Sequence, residues 1–413
     1  MSDTSLLRHA DFRLLLAGQT ATQLGSQVGS VAIPLLAIEQ LQATALQVGV
    51  LGAASTIAFA VLGLPAGAWI DRTRVAPILV ASDVARAVLL ASIPVAAWLG
   101  LLTISQLVVV AALTGVARVF FDIGYQSYVP HLVGRDRVLA GNSALELVRS
   151  SGQVAGPGLG GVLVTIAGAA DVLLIQAATF AASTATLLAI RTPEPRPTRP
   201  ARRTTLRAEI LEGLRVVRRN RVLRTLALAS ALGNLTFAIA SAVTMIFLVR
   251  TLDLPAWTVG FVVAAASVAA MAGAAWTPGL SRAVGSVRII WLSLAVTSPF
   301  TLLGAAARPG WGVALVVAGM AMGELGQIVY AVTSVSLRQR LCPPGLLGRV
   351  NATMRVLIMG LFPLGAVVGG VLGELVGVRA TLVVAGLVGM VAPTVLLPVL
   401  RAHRDVEDLP AWD

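Results

Sequence analysis

The sequence predicts an all-α integral membrane protein whose twelve transmembrane helices form two pseudo-symmetric six-helix bundles. Three observations carry that expectation. Apolar stretches near the ~20-residue length that crosses a hydrocarbon core of roughly 30 Å fill the chain. One Arg/Pro-rich segment, residues 191–224, splits them six and six. Short patterns also recur between the halves at nearly constant spacing. Only complete helices or closed barrels satisfy the backbone inside a bilayer, so continuous apolar runs of this length read as helices.

The chain has 413 residues, of which 57% are hydrophobic and only 12% charged, far from the balance of a soluble domain. The expected spans are 12–36, 45–68, 77–99, 106–129, 141–165, 171–190, 225–249, 256–279, 287–307, 312–336, 350–374 and 380–400. This divides the chain into an N-terminal bundle (1–190), a linker (191–224), a C-terminal bundle (225–400) and a tail (401–413). Little chain is left for a soluble catalytic domain, which makes solute transport the default reading.

The net charge of +12 comes from loops. All 31 basic residues are arginines, and 24 of them fall in one set of loops that includes both termini and the linker. The opposite set holds only Arg250, Arg308 and Arg379. The positive-inside rule then places both termini and the linker in the cytoplasm of a multi-pass bacterial plasma (inner) membrane protein. A charge distributed this way implies the lipid bilayer, not nucleic acid, as its partner. The polar N-terminus lacks the pattern of a cleaved signal peptide. A single cysteine, Cys342, excludes an internal disulfide and a thiolate metal cluster.

The linker opens as a Pro-rich, extended, solvated segment. Leu206, Ile210, Leu214 and Val217 then follow at helical spacing, with Arg207, Arg215 and Arg218 between them. That pattern fits an amphipathic helix on the inner leaflet or a connector packed on the span ends.

The halves repeat. Asn142 precedes Gly160-Gly161-Val162-Leu163 as Asn351 precedes Gly369-Gly370-Val371-Leu372, and Val48-Gly49 matches Val259-Gly260. Two fused six-span units place a solute site between them near mid-membrane. Span five carries Gly152, Gly156 and Gly160 with Pro157, and span eleven carries Gly365, Gly369, Gly373 and Gly377 with Pro363. Small residues four apart let backbones approach closely, and proline permits a bend. Such helices either rock during a transport cycle or simply pack tightly.

These motifs carry a resemblance. G-P-G-L-G-G at Gly156–Gly161, preceded by Gly152, resembles the fifth-span antiporter motif of the major facilitator superfamily, with Ser143 where the first glycine would stand. G-A-W-I-D-R-T-R at Gly67–Arg74 resembles the superfamily's loop between spans two and three, without its later Gly-Arg portion. Val119–Val133 and Glu209–Leu226 are similar to the twelve-span drug:proton antiporter branch that includes macrolide and enterobactin exporters. The resemblance implies the major facilitator fold and a gating role for Asp71, Arg72 and Arg74, and for Gly156, Pro157, Gly160 and Gly161. Arg118 matches the arginine of the fourth-span motif, but the Gln-Gly expected after it is Phe121-Asp122 here.

Charge inside spans is costly and should pair or face water. Spans four, five, ten and eleven contain Arg118, Asp122, Glu146, Arg149, Glu324 and Arg355, three of each sign. A carboxylate beside an arginine in a partly dry cavity can exchange a proton. Asp122 or Glu146 is the proton-coupling candidate of the first half and Glu324 that of the second; structural ion pairing is the alternative. Asp83 and Arg86 read as a structural pair. Gln19, Gln23 and Ser26 with Gln126, Gln153, Gln327 and Tyr330 are candidates to line a cavity for a bulky amphipathic solute, or to hold helices together.

His9, His131 and His403 show no metal-ligand spacing, no Ser/His/Asp set converges, and no phosphate-binding loop occurs. No enzyme activity, metal or cofactor is expected. The expected protein is a monomeric exporter of amphipathic small molecules (a drug, secondary metabolite or siderophore) by proton antiport with alternating access. Import of a small nutrient is the alternative.

Overall fold

A computed structural model describes residues 9–70, 73–134, 137–194 and 214–408. Its helices are α1 (Ala10–Leu35), α2 (Ala45–Ile70), α3 (Val75–Trp98), α4 (Ile104–Val133), α5 (Val138–Ala167) and α6 (Ala169–Ala189) in the first half. The second half holds α7 (Arg221–Ile246), α8 (Ala256–Val284), α9 (Arg288–Thr297), α10 (Thr301–Ala306), α11 (Gly312–Leu341), α12 (Pro344–Leu375), α13 (Val378–Gly389) and α14 (Val391–Leu400). The 3₁₀ turn Ser298–Phe300 joins α9 and α10 into one span, and α13 with α14 make another. Among the described residues eleven stretches are long and apolar enough to cross a membrane. The remaining long helix, α5, has 30 residues; its glycines, Gln153, Glu146 and Arg149 lower its hydropathy.

Local chemistry sets the boundaries. Thr103 caps α4 by accepting from the Gln106 N–H at 3.2 Å, and Asn220 caps α7 by accepting from the Leu223 N–H at 3.0 Å. Gly168 (φ 84°) separates α5 from α6 and Gly377 (φ 87°) separates α12 from α13, a left-handed conformation that glycine adopts without a Cβ clash.

The backbone repeats more closely than the sequence does. After α1 the helix widens into a π-turn over Leu36–Gln40, and after α7 it does so over Phe247–Thr251, 211 residues later. Each π-turn is followed by a residue of positive φ, Gln42 (48°) and Asp253 (52°), again 211 apart.

The contacts group the chain into two compact units. Unit 1 comprises Met1–Ala43, Ala54–Ala201 and Pro255–Ala264; unit 2 comprises Thr44–Ala53, Arg202–Leu254 and Ala265–Asp413. The first turns of α2 thus cluster with unit 2 and those of α8 with unit 1. In unit 1, α1 packs on α5 and α6, and α3 on α4 and α6, around Phe12, Leu15, Ile70, Leu79, Phe121 and Tyr128. In unit 2, α7 packs on α12, α13 and α14, and α9 on α11, around Leu223, Ile290, Val350 and Leu396. Val217, in the short helix 214–219, is buried in that second core, whereas Arg215 and Arg218 are exposed.

The residues after the sixth and twelfth spans are docked rather than solvated. Glu194 accepts from the backbone N–H groups of Val75 and Ala76 (3.0 Å for Ala76), capping α3. Asp11 accepts from the Arg191 and Thr192 N–H groups at 3.3 and 2.8 Å and from the Thr192 hydroxyl. In unit 2, Asp405 accepts from the Ser286 N–H at 2.8 Å and from its hydroxyl at 3.1 Å, and the Arg404 carbonyl accepts from Val287 N–H at 3.0 Å, ahead of α9. Asp408 accepts from Arg404 and Asp405 N–H at 3.0 and 2.9 Å. Those backbone donors hold its carboxyl below the usual carboxylate range.

Candidate functional site

The glycine row of α5 faces two helices at once. A Cβ at Gly152 would come within 2.7 Å of Gln23 Cγ, and one at Gly160 would meet the Val28 carbonyl oxygen at 3.0 Å, so this face lies on α1. The next residue, Gly161, faces α8, where a Cβ would sit 3.0 Å from Gly260 Cα. In unit 2 the equivalent pair splits the same way. Gly369 lies on Ile239 of α7, and a Cβ at Gly370 would fall 2.9 Å from Leu46 Cα of α2. No side chain fits between these backbones, which is the physical content of the glycine spacing. Pro157 lies within α5, buried.

Four of the six in-span charges form pairs in unit 1. Arg149 grips Glu146 with both arms of its guanidinium, Nε at 2.9 Å and Nη2 at 2.6 Å. Arg118 Nε lies 3.5 Å from Asp122. Both pairs are well exposed (54 and 57% for Arg149 and Glu146, 64 and 39% for Arg118 and Asp122). Each pair is a contact within one helix, i, i+3 for Glu146 and Arg149 and i, i+4 for Arg118 and Asp122, so both roles expected from the sequence, ion pair and proton site, stay open for them. In unit 2, Glu324 is half-buried on α11 and has no hydrogen bond or ion pair among the described residues. Arg355 is exposed on α12.

Of the neutral groups, Gln19, Gln23, Ser26, Gln153 and Gln327 are half-buried, and Gln126 is exposed. Tyr330 takes the helix-joining one of its two expected roles. It is 2% exposed in the core of unit 2, where its hydroxyl pairs with Ser230 Oγ at 2.7 Å and donates to the Leu226 carbonyl at 3.2 Å. A phenol with both needs met inside a bundle joins helices rather than lining a cavity. Of the loop expected to gate, Arg74 is exposed just before α3, while Asp71 and Arg72 lie outside the described residues, as do Leu206, Arg207 and Ile210 of the linker.

Among the described residues the most buried charges are Asp83 (0% exposed) and Arg86 (6%) on α3. They form a direct ion pair. The Arg86 guanidinium is clamped between Phe121 of α4 and Phe180 of α6, its Cζ 4.4 and 4.3 Å from the two ring centroids, a cation–π arrangement that supports a buried guanidinium. The i, i+3 spacing gives the pair; the two aromatic faces belong to other helices and carry no sequence signal. Among the described residues no group of three or more His, Cys, Asp or Glu could hold a metal.

The sequence profile of the Major Facilitator Superfamily matches residues 15–363. The multidrug efflux pump Tap of Mycolicibacterium fortuitum is 29% identical over 404 residues, covering 94% of this chain and 95% of that protein. Tap of Mycobacterium tuberculosis is 27% identical over 415 residues, covering 94% and 93%. Among solved structures, a bacterial homologue of the iron transporter ferroportin aligns with a TM-score of 0.73 at 19% identity over 95% of this chain and 98% of that one. The nucleoside transporter NupG aligns with 0.72 at 13% identity over 94% and 98%. At these identities the structural likeness establishes the fold alone.

Proposed function

The chain belongs to the Major Facilitator Superfamily, and from that premise we propose that it exports amphipathic small molecules by proton antiport with alternating access. Relatives called multidrug efflux pumps align along nearly the full chain, which supports export over nutrient uptake. The arginine distribution supports a bacterial inner-membrane orientation with both termini cytoplasmic. Residues 1–190 and 225–400 serve as the two moving bundles, and the protein works as a monomer.

The observation that carries proton coupling is Glu324, a half-buried carboxylate in a span without a partner among the described residues. A carboxylate in a span can bind a proton in one state of the cycle and release it when water or a cation reaches it in another. Binding of a cationic or amphipathic solute beside it supplies that stimulus, so solute and proton exchange at one place. Glu146 and Asp122, ion-paired with Arg149 and Arg118, form a second station at which a proton can replace the arginine when the cycle separates each pair. Gln19, Gln23, Ser26, Gln153 and Gln327 supply hydrogen bonds to the solute's polar end, and Gln126 does so at the exposed margin. The glycine face at Gly156–Gly161 and the loop at Asp71, Arg72 and Arg74 gate access. No ATP site is required, because the pH gradient drives the cycle.

The test is reconstitution with an imposed pH gradient and a fluorescent cationic drug. Wild-type protein should expel the drug when protons run the opposite way. Glu324→Gln should lose at least tenfold of that gradient-driven flux while still binding drug. Undiminished coupling in Glu324→Gln would remove the coupling assignment, and drug moving with the protons would overturn export.

A further inference from the structure

Arg250, Arg308 and Arg379 are the arginines left on the sparse side of the chain, and two of them share one cavity. It lies within unit 2, has a volume of about 540 Å³, and is lined by Leu302, Ala305, Ala306, Arg308, Arg379 and Val383. Arg379, in the first turn of α13, is fixed in place. It donates to the Ala305 carbonyl at the end of α10, and its Cζ lies 5.2 Å from the Phe247 ring centroid. Arg308, in the turn between α10 and α11, is exposed and makes no hydrogen bond or ion pair among the described residues. No acidic residue lines the cavity, so two guanidiniums face one space without a counter-charge from its walls. Its remaining lining is wholly apolar.

We infer that this cavity binds the phosphate of an anionic phospholipid, with the start of an acyl chain on its apolar floor. Guanidiniums match phosphate oxygens in forked, charge-assisted pairs, which accounts for the two arginines. The floor of Leu302, Ala305, Ala306 and Val383 offers a free inorganic anion nothing but desolvation, whereas a lipid covers it. The surroundings suit the edge of a bilayer. Trp311, three residues after Arg308, is 94% exposed, and Phe300 (38%), Val384 (37%) and Leu387 (52%) leave α13 and the turn before α10 apolar on their outsides. Exposed tryptophan beside apolar helix faces marks the headgroup level. The inference rests on the orientation proposed above, which makes this the outer leaflet, where the positive-inside rule otherwise disfavours arginine.

The test uses the full chain purified in detergent, with lipid retention read by native mass spectrometry, a measurement independent of transport. Wild-type protein should retain phosphatidylglycerol over phosphatidylcholine. Arg308→Gln, which breaks no hydrogen bond or ion pair among the described residues, should lower that retention about tenfold, the loss of one charge-assisted pair. Arg308→Gln combined with Arg379→Gln should abolish the preference. Equal retention by wild type and Arg308→Gln would overturn the site. A thermal shift from millimolar inorganic phosphate as large as that from phosphatidylglycerol would reassign it to a free anion and overturn the lipid. Arg308→Cys labelled by an impermeant maleimide in intact cells supports the outer leaflet. Labelling only in broken cells would overturn the orientation while leaving the lipid-retention result intact.

Discussion

Two helix crossings show what the duplication kept and what it changed. In unit 2 the first turns of α2 meet α12, where a Cβ at Gly49 would lie 3.0 Å from Gly370 Cα; in unit 1 the first turns of α8 meet α5, where a Cβ at Gly260 would lie 2.9 Å from Gly161 Cα. The backbones approach almost equally in both. The polar groups beside them differ. Glu374 of α12 accepts from the Leu46 N–H at 3.3 Å, bridging to the start of α2. Thr165, the matching residue of α5, donates to the Gly161 carbonyl of its own helix at 2.8 Å and bridges nothing. Backbone contact inside lipid tolerates no substitute for glycine, whereas the groups at its rim can drift and specialise. The charges follow the same rule: unit 1 pairs Asp122 and Glu146 with arginines, while Glu324 of unit 2 has no partner among the described residues.

Valine in place of Gly49 or Gly260 should have the largest effect, since the new side chain collides with backbone. Each should cost about 1–3 kcal/mol or more and stop transport, read as thermal stability in detergent together with flux. A tolerated valine at one crossing only would break the equivalence. Next come the docked segments after each bundle. Glu194→Ala and Asp405→Ala each remove a helix cap and should cost about 0.5–2 kcal/mol, with faster amide exchange at Val75–Ala76 in the first variant and Ser286 in the second. The smallest effect separates the two rims. Glu374→Gln should lose only about 0.3–1 kcal/mol, the value of a carboxylate at a helix start, and should speed amide exchange at Leu46. Thr165→Val should leave exchange at the start of α8 untouched; matching changes in both would erase the asymmetry.

Much of this was legible in the residues, unevenly and for physical reasons. Span length, loop arginines and the glycine rows are local signals, so the twelve-span plan and the close helix approaches could be read directly. Which neighbour each glycine faces could not, because adjacent Gly160 and Gly161 serve different helices. The Asp83–Arg86 pair shows in its spacing, but its clamp of Phe121 and Phe180 is built by chain folding. The role of Tyr330 stays open in the sequence for a related reason. A polar side chain on a span can face solute or another helix, and only the position of Ser230, one hundred residues away, decides. Arg191–Glu194 reads as the start of a solvated linker because nothing in a Pro-rich run announces that Glu194 will seat on the helix begun by Val75.

The seating of Arg404 and Asp405 on the loop before Arg288 has a practical corollary. The stretch beyond Leu400 reads as a dispensable tail and a convenient place to cut or to append a reporter, yet it completes the first turn of a helix more than a hundred residues upstream. Shortened versions ending at Leu400 would be expected to express poorly for reasons unrelated to solute handling, so detection tags belong after Asp408.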